Sequence, residues 1–346
     1  MRRATRPVGL AAATMALVTL AACSSSSGSG TNNGGSTGSG SSTGSGSANT
    51  TTQVKGSVVL ITGISGDPYY VSLACGAQAE AKKRGLAYKQ QSPSAFDPSV
   101  QIPILNAVIA QKPNVIIIAP TDSTALIAPL KEAVAAGIKV ILVDTTLSDM
   151  SFVTSSVHSD DLAAGGVAGK SLADLMGDKG SVVTINTQPG ISTSDARVKG
   201  FQDAIKTFSN IKDLGVQYSK NDAGKSASIV TSMLAAHPDL NGIFVTNTIQ
   251  GTGAATGLRS SGKAPGIVKV IGFDGGPSGV QALQDGTIQG QVVLKPLDEG
   301  TLAIDAAASA ISGQSVQKDI GTGSFLATKD NLDTPEVQKY LYKANC

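Results

Sequence analysis

The feature that most constrains this chain is a twice-repeated alternation of short β-branched runs with helical stretches, the sequence sign of parallel sheets wrapped by helices. In the first series Val58–Thr62 is followed by a helix from about Tyr69 to Arg84, stopped by Gly85. Val115–Ile118 precedes a helix over Thr124–Ala136, stopped by Gly137, and Lys139–Val143 is the next strand. These runs are almost continuously apolar, as expected of strands covered on both faces. The pattern then restarts, with strands over Ser181–Ile185, Gly242–Val245 and Val268–Gly272 and helices near Ala196–Ser209, Ala223–Ala236 and Ile249–Ser261. No short repeat period is present, which excludes a solenoid. The expected fold class is α/β, with two doubly wound parallel-sheet lobes.

Ahead of this part, Arg2, Arg3 and Arg6 precede an apolar run from Val8 to Ala22, the layout of a cleaved export signal. The run is about fifteen residues, shorter than the roughly 20 a membrane-spanning helix needs. It ends in Leu20-Ala21-Ala22-Cys23, which resembles a lipobox. Residues 1–22 are therefore read as a lipoprotein signal peptide and Cys23 as the lipidated new N-terminus. Residues 23–53 are almost entirely Ser, Gly, Thr and Asn, a composition that buries no apolar surface and serves as a flexible tether. The remaining stretch of roughly 290 residues suits two lobes of about 100 to 150 each. Two lobes create a cleft.

A net charge of +2, 15% charged residues and 4% aromatics supply neither a basic stripe nor a stacking platform, so nucleic acid is excluded as a partner. Besides Cys23, only Cys75 and Cys346 remain, and in an exported chain such a pair is expected to form a disulfide.

In sheets of this kind ligands bind beyond the carboxyl ends of the strands. The residues found there are polar: Asp67-Pro68-Tyr69-Tyr70, Pro120-Thr121-Asp122 and Asp144-Thr145 in the first series. In the second they are Gln188 to Arg197, Asn247-Thr248 and Asp274-Gly275-Gly276. A sugar offers hydroxyls around its edge and apolar C–H faces, so it calls for acceptors such as Asp and Asn together with aromatic walls. The set contains both.

Several segments in this order carry a family resemblance: Asp67-Pro68-Tyr69-Tyr70, Ala119-Pro120-Thr121-Asp122-Ser123, Val143-Asp144, Ser159-Asp160, Lys199-Gly200-Phe201, Ala236-His237-Pro238-Asp239, Thr246-Asn247 and Gly272-Phe273-Asp274-Gly275. Over about residues 54–330 the chain resembles the type I periplasmic-binding-protein family, in particular the ribose-binding-like sugar receptors of ABC importers. The resemblance implies two lobes joined by a multi-strand hinge. Residues 54–158 and 295–323 would form the N-terminal lobe, 159–294 and 324–330 the C-terminal lobe, and 331–346 a tail returning to the N-terminal lobe. Crossings are expected near Ser156–Asp160, Leu294–Pro296 and Gly323–Phe325.

The resemblance also implies roles. Tyr69 and Tyr70 would be aromatic walls, Asp67 an edge acceptor, Asp144 and Asp274 the carboxylates that grip hydroxyls, and Asn247 an amide partner. Thr145 and Asp195 stand where the family's ribose receptors have arginine, and Leu294 stands in place of a glutamine before Pro296, beside Lys295. Arg197 lies two residues past the expected arginine. Thr145, Asp195, Arg197 and Lys295 complete the candidate ligand set, with a helix-terminal role as the alternative for Asp195 and a turn role for Asp274. The missing arginines argue against an acidic or phosphorylated sugar. Carboxylates at Asp67, Asp144, Asp195 and Asp274 argue for a donor-rich neutral aldose or polyol, with an amino sugar as the alternative.

Other motifs carry less. Asp122 is expected to cap the helix that follows it. Gly251-Thr252-Gly253 with Gly257 misses dinucleotide-loop spacing by one. His158 and His237 assemble no metal cluster, and no Gly-x-Ser-x-Gly elbow follows a strand. No cofactor, metal or catalytic residue is expected. The function expected is that of a monomeric, lipid-anchored binding protein handing a small sugar to an importer permease. An exported carbohydrate-acting enzyme using cleft carboxylates is the alternative. A DNA-binding regulator is excluded, because an export signal and tether stand where its reading helices would be.

Overall fold

The computed structural model describes residues 55–346; the export signal, Cys23 and the whole of the tether lie outside the described residues. The first half runs β1 (Ser57–Ile61), α1 (Pro68–Arg84), β2 (Ala87–Gln91), α2 (Pro98–Ala110), β3 (Val115–Ile118), α3 (Ile127–Ala135), β4 (Lys139–Val143) and β5 (Ser155–Ser159). The second runs α4 (Asp161–Met176), β6 (Gly180–Asn186), α5 (Ser192–Ile205), β7 (Ile211–Tyr218), α6 (Ala223–Ala236), β8 (Leu240–Val245), α7 (Thr248–Ser260), β9 (Lys269–Phe273), α8 (Pro277–Gln284) and β10 (Gly290–Val293). The chain closes with α9 (Pro296–Ile311), β11 (Asp319–Thr322), β12 (Phe325–Ala327) and α10 (Pro335–Tyr340).

Two six-stranded sheets result, in orders β11-β5-β4-β3-β1-β2 and β12-β10-β9-β8-β6-β7. The orders are equivalent position for position. All pairings are parallel except β10 with β12. The chain passes between the sheets three times: from β5 into α4, from β10 into α9, and from β11 to β12. The central strands are fully buried, among them Val115 to Ile118 and Ile243 to Val245, because helices cover both faces.

Local chemistry explains the element starts. Asp67, Asp97, Asp222 and Asn247 each cap a helix by accepting a backbone N–H. Asp122 accepts from the N–H groups of Thr124 and Ala125, so the capping expectation holds locally, but those residues form a turn and α3 begins only at Ile127. The helix expected near Ala196–Ser209 starts at Ser192 instead, one turn earlier, with consequences for the site. Close helix contacts need glycine. A Cβ on Gly300 would run into the Leu73 carbonyl across the α1–α9 contact, and one on Gly165 would run into the Arg197 carbonyl across α4–α5.

Candidate functional site

Asp144 and Asp274 occupy equivalent places, immediately after β4 and β9, and both have left-handed backbones with φ of 63° and 73°. Each directs its own N–H to the neighbouring strand, to the carbonyls of Val157 and Val292. Left-handed backbone is unfavourable for a residue with a Cβ and persists only where the surroundings enforce it, a condition concentrated at functional sites. Both carboxylates are 7% exposed.

They line one cleft together with Asp67, Tyr69, Tyr70, Arg197 and Asn247. The space between the walls, mouth included, is about 520 Å³, within the range of small-molecule sites. Seven of the ten ligand candidates are thus brought together. Ile191, Thr193 and Ser194, from the Gln188 to Arg197 stretch, join them, as do Ile64, Phe96, Thr187 and Asn221, which are not among the residues expected there. The cleft is bridged at one edge, where the Thr146 N–H donates to Ser192 Oγ at 2.9 Å.

Three candidates lie elsewhere. Asp195 is exposed in the first turn of α5 and accepts from the Gly190 N–H at 2.8 Å, so its carboxylate supports the loop entering the helix. Thr145 is buried and donates to the Pro120 carbonyl at 2.7 Å. Lys295 places its ammonium 4.8 Å from the centre of the Tyr340 ring, toward the tail. Arg197 corrects the expectation that the basic group is missing. It is 5% exposed, donates from Nε to Asp161 at 2.7 Å and from Nη1 to the Thr246 carbonyl at 2.8 Å, and lies over the Phe273 ring at 4.1 Å.

The cleft is acidic nonetheless. Burial pushes Asp144 up to about 8, with the charge of Glu299 adding to it. Burial and then the charge of Asp274 push Asp67 up to about 6. Asp274 is raised by burial against the opposing pull of Arg197. For Arg197 burial works against its charge, but Asp161, Asp274 and Asp144 outweigh it and hold it protonated.

Behind the wall stands Glu299, which does not follow a strand and lies in the first turn of α9. It accepts from Tyr69 and Ser159 hydroxyls, each at 2.6 Å, and from Thr322 at 3.0 Å. Ser159 and Thr322 end β5 and β11, so this one carboxylate ties together the first-sheet ends of all three crossings. Burial pushes it up to about 7 against those hydroxyls. Tyr70 donates to Asp144 at 2.6 Å, and Tyr342, from the tail, donates to Asp274 at 3.2 Å. Asn247 is held by its amide to Asn221 at 2.9 Å while its carbonyl caps α7. Cys75 and Cys346 are bonded to each other, with Cα atoms 5.4 Å apart.

Such a cleft offers several acceptors, one fixed cation and aromatic rings, and fits a polyhydroxylated solute. Residues 58–315 match the family described as periplasmic binding protein domain. The ribose import binding protein of Salmonella typhimurium is 30% identical over 271 residues, covering 78% of this chain and 89% of that protein. Its Bacillus subtilis counterpart is 29% identical over 282 residues, 82% and 90% of the two chains. A solved ABC transporter solute binding protein from Agrobacterium vitis, bound with alpha-D-tagatopyranose, is similar with TM-score 0.81 and 37% identity, over 83% of this chain and 99% of that one. Another from the same organism, with bound D-fucose, has TM-score 0.79 and 29% identity over 83% and 100%.

Proposed function

The chain belongs to the periplasmic binding protein family, and from that premise we propose that it captures a neutral monosaccharide or polyol and delivers it to an ABC importer permease. The observation that carries the reading is the convergence of three carboxylates, the buried Asp144 and Asp274 and the half-buried Asp67, on one cleft from the two halves of the fold. Their spare lone pairs suit hydroxyl donors, and charge-assisted bonds of this kind are the strong ones. Arg197 would add a donor, but Asp161 already takes much of its charge, so an acidic or phosphorylated sugar remains disfavoured. Tyr70 and Phe96 would face the C–H surfaces of the ring. We place the lobes at residues 54–158 with 295–323 and 159–294 with 324–330, the three crossings forming the hinge, and take the protein to act as a monomer. The relatives described above are import and solute-binding proteins, and none of them lends support to an enzyme.

A thermal-shift panel tests this. D-tagatose, D-ribose, D-allose, D-fucose, ribitol and glucosamine are added to the mature protein. A true ligand at 100 times its dissociation constant should stabilise it by about 2.7 kcal/mol. A flat response across all six overturns the reading.

We further propose that Cys23 carries the lipid anchor and residues 23–53 the tether, which would hold the receptor at the outer face of the membrane near its permease. Cys23→Ser should release the protein into the soluble fraction or leave an unprocessed precursor. A membrane-bound variant of normal mature mass would refute the anchor.

A further inference from the structure

We propose that the C-terminal strap after α10 belongs to the binding apparatus: Tyr342 positions Asp274, and the Cys75–Cys346 bond holds Tyr342 in place. The proposal rests on the reading that this cleft takes a sugar.

The strap is anchored on both halves of the fold within two residues. The Tyr342 N–H donates to the Gly275 carbonyl at 2.9 Å, just after Asp274, while its hydroxyl donates to Asp274 Oδ1 and receives the Leu294 N–H at 3.4 Å. The next residue, Lys343, sends its N–H to Ser72 Oγ on α1 at 2.7 Å, and Cys346 is bonded to Cys75 on the same helix. Tyr342 is 5% exposed although it stands four residues from the chain end.

The arrangement matches the other half of the cleft. Asp144 and Asp274 share the strand-end position and the left-handed backbone, and each receives one tyrosine hydroxyl. Tyr69 links the two, since its ring meets Tyr70 edge-on at 5.3 Å and Tyr342 at 5.6 Å. The supports differ in how they are held. Tyr70 lies inside a 17-residue helix, whereas Tyr342 lies on a terminal segment of the kind that frays unless tied down. The disulfide supplies that tie. Thr248 holds the other oxygen, its N–H 3.3 Å from Asp274 Oδ2, so the tyrosine is the donor that fixes Oδ1 and with it the carboxylate's orientation before a ligand arrives.

The test uses the full mature protein, Tyr342→Phe and Cys346→Ser, with two measurements. Carbon-detected titration of the Asp274 carboxyl without sugar reads positioning directly. In Tyr342→Phe its midpoint should rise, because a donor that favours the charged form is gone, while the Asp144 midpoint stays in place. Calorimetry with D-tagatose and D-ribose should then show affinity weaker by about five- to tenfold in Tyr342→Phe. Cys346→Ser should be weaker by about threefold, and the parent treated with dithiothreitol should match it. In that treatment the dithiol supplies two electrons, the S–S bond becomes two thiols and the reagent closes to its cyclic disulfide. An unmoved Asp274 midpoint in Tyr342→Phe overturns the proposal, as does unchanged affinity beside a parent that binds. Cys346→Ser that equals the parent in both measurements overturns the role of the disulfide. A parent that binds neither sugar counts against the reading of the cleft, and the titration still decides whether Tyr342 positions Asp274.

Discussion

Arg197→Met is expected to lower unfolding stability by about 3–5 kcal/mol and to abolish sugar binding, the largest effect of any single substitution in the cleft. The reason lies less in the lost pair than in what remains. Asp161, at the first position of α4, is almost fully buried and has Arg197 Nε 2.7 Å away. Burial already raises its pKa against the pull of Arg197, and without the guanidinium it would rise further. An acid whose folded pKa is raised loses stability as pH climbs above its unfolded value, so the deficit should grow from pH 5 to pH 8. The Phe273 ring would also lose its stacked cation. Urea denaturation of the parent, Arg197→Met and Arg197→Met/Asp161→Leu checks this. The double variant should recover more than half of the loss, because replacing a buried pair by apolar side chains is often close to neutral. A single-variant loss below about 1 kcal/mol, or a double variant worse than either single, would mean the buried charge is not what matters here.

The same helix shows where sequence reasoning reaches and where it stops. Strands and their order of appearance are legible because both faces of each sheet are covered, leaving apolar runs that punctuate the chain. The cleft is legible for Asp144, Asn247 and Asp274 because each stands within two residues of a strand end, and for Asp67 because it closes the short loop from β1 to α1, so position along the chain nearly fixes position in space. Arg197 and Asp195 do not follow a strand directly. They lie two residues apart on α5, about 200° around its axis, so only one of them faces the cleft. Matching positions against the family's arginine points to Asp195, whereas helix phase selects Arg197. A signal for this exists in the sequence: Ser194, Arg197, Val198, Phe201 and Ile205 form the buried stripe, and Asp195, Lys199, Asp203 and Lys206 the exposed one. A helix begun at Ala196 lacks the first turn of that pattern.

Glu299 and Tyr342 have no comparable signal. Tyr69 meets Glu299 across 230 residues of chain and Tyr342 meets Asp274 across 68, contacts that exist only once both sheets and the tail have assembled. Lys295 falls the other way for a similar reason. It opens α9 beside a crossing, where the chain passes close to the cleft, but the tail offers the Tyr340 ring and the side chain lies over that.

Between pH 8 and pH 5 the sugar-free protein is expected to gain stability while its affinity for sugar falls. Asp144, Glu299 and Asp67 are pushed up to about 8, 7 and 6, in each case chiefly by burial. Their unfolded values lie near 4. Over this interval the native state therefore holds more protons than the unfolded chain, and linkage makes stability fall as pH rises. The contribution of Asp144 alone is on the order of a few kcal/mol. Asp161 and Asp274 shift in the same direction. His158, raised against its burial by the Ser159 carbonyl and Asp319, loses its contribution over the upper part of the range. Sugar hydroxyls reverse the preference, because an ionised carboxylate accepts more bonds than a protonated one. Binding near pH 7 should therefore release protons, detectable by calorimetry in buffers of different ionisation enthalpy. Asp144→Asn isolates the group with the greatest influence on the profile. It keeps the size of the side chain and a residue type that tolerates left-handed backbone. It should flatten much of the stability profile, raise apo stability at pH 8, and weaken sugar binding by about ten- to a hundredfold. An apo melting temperature that climbs from pH 5 to pH 8, or a binding reaction that releases no protons near pH 7, would show that these buried acids are ionised without the ligand and that their charge is not reserved for it.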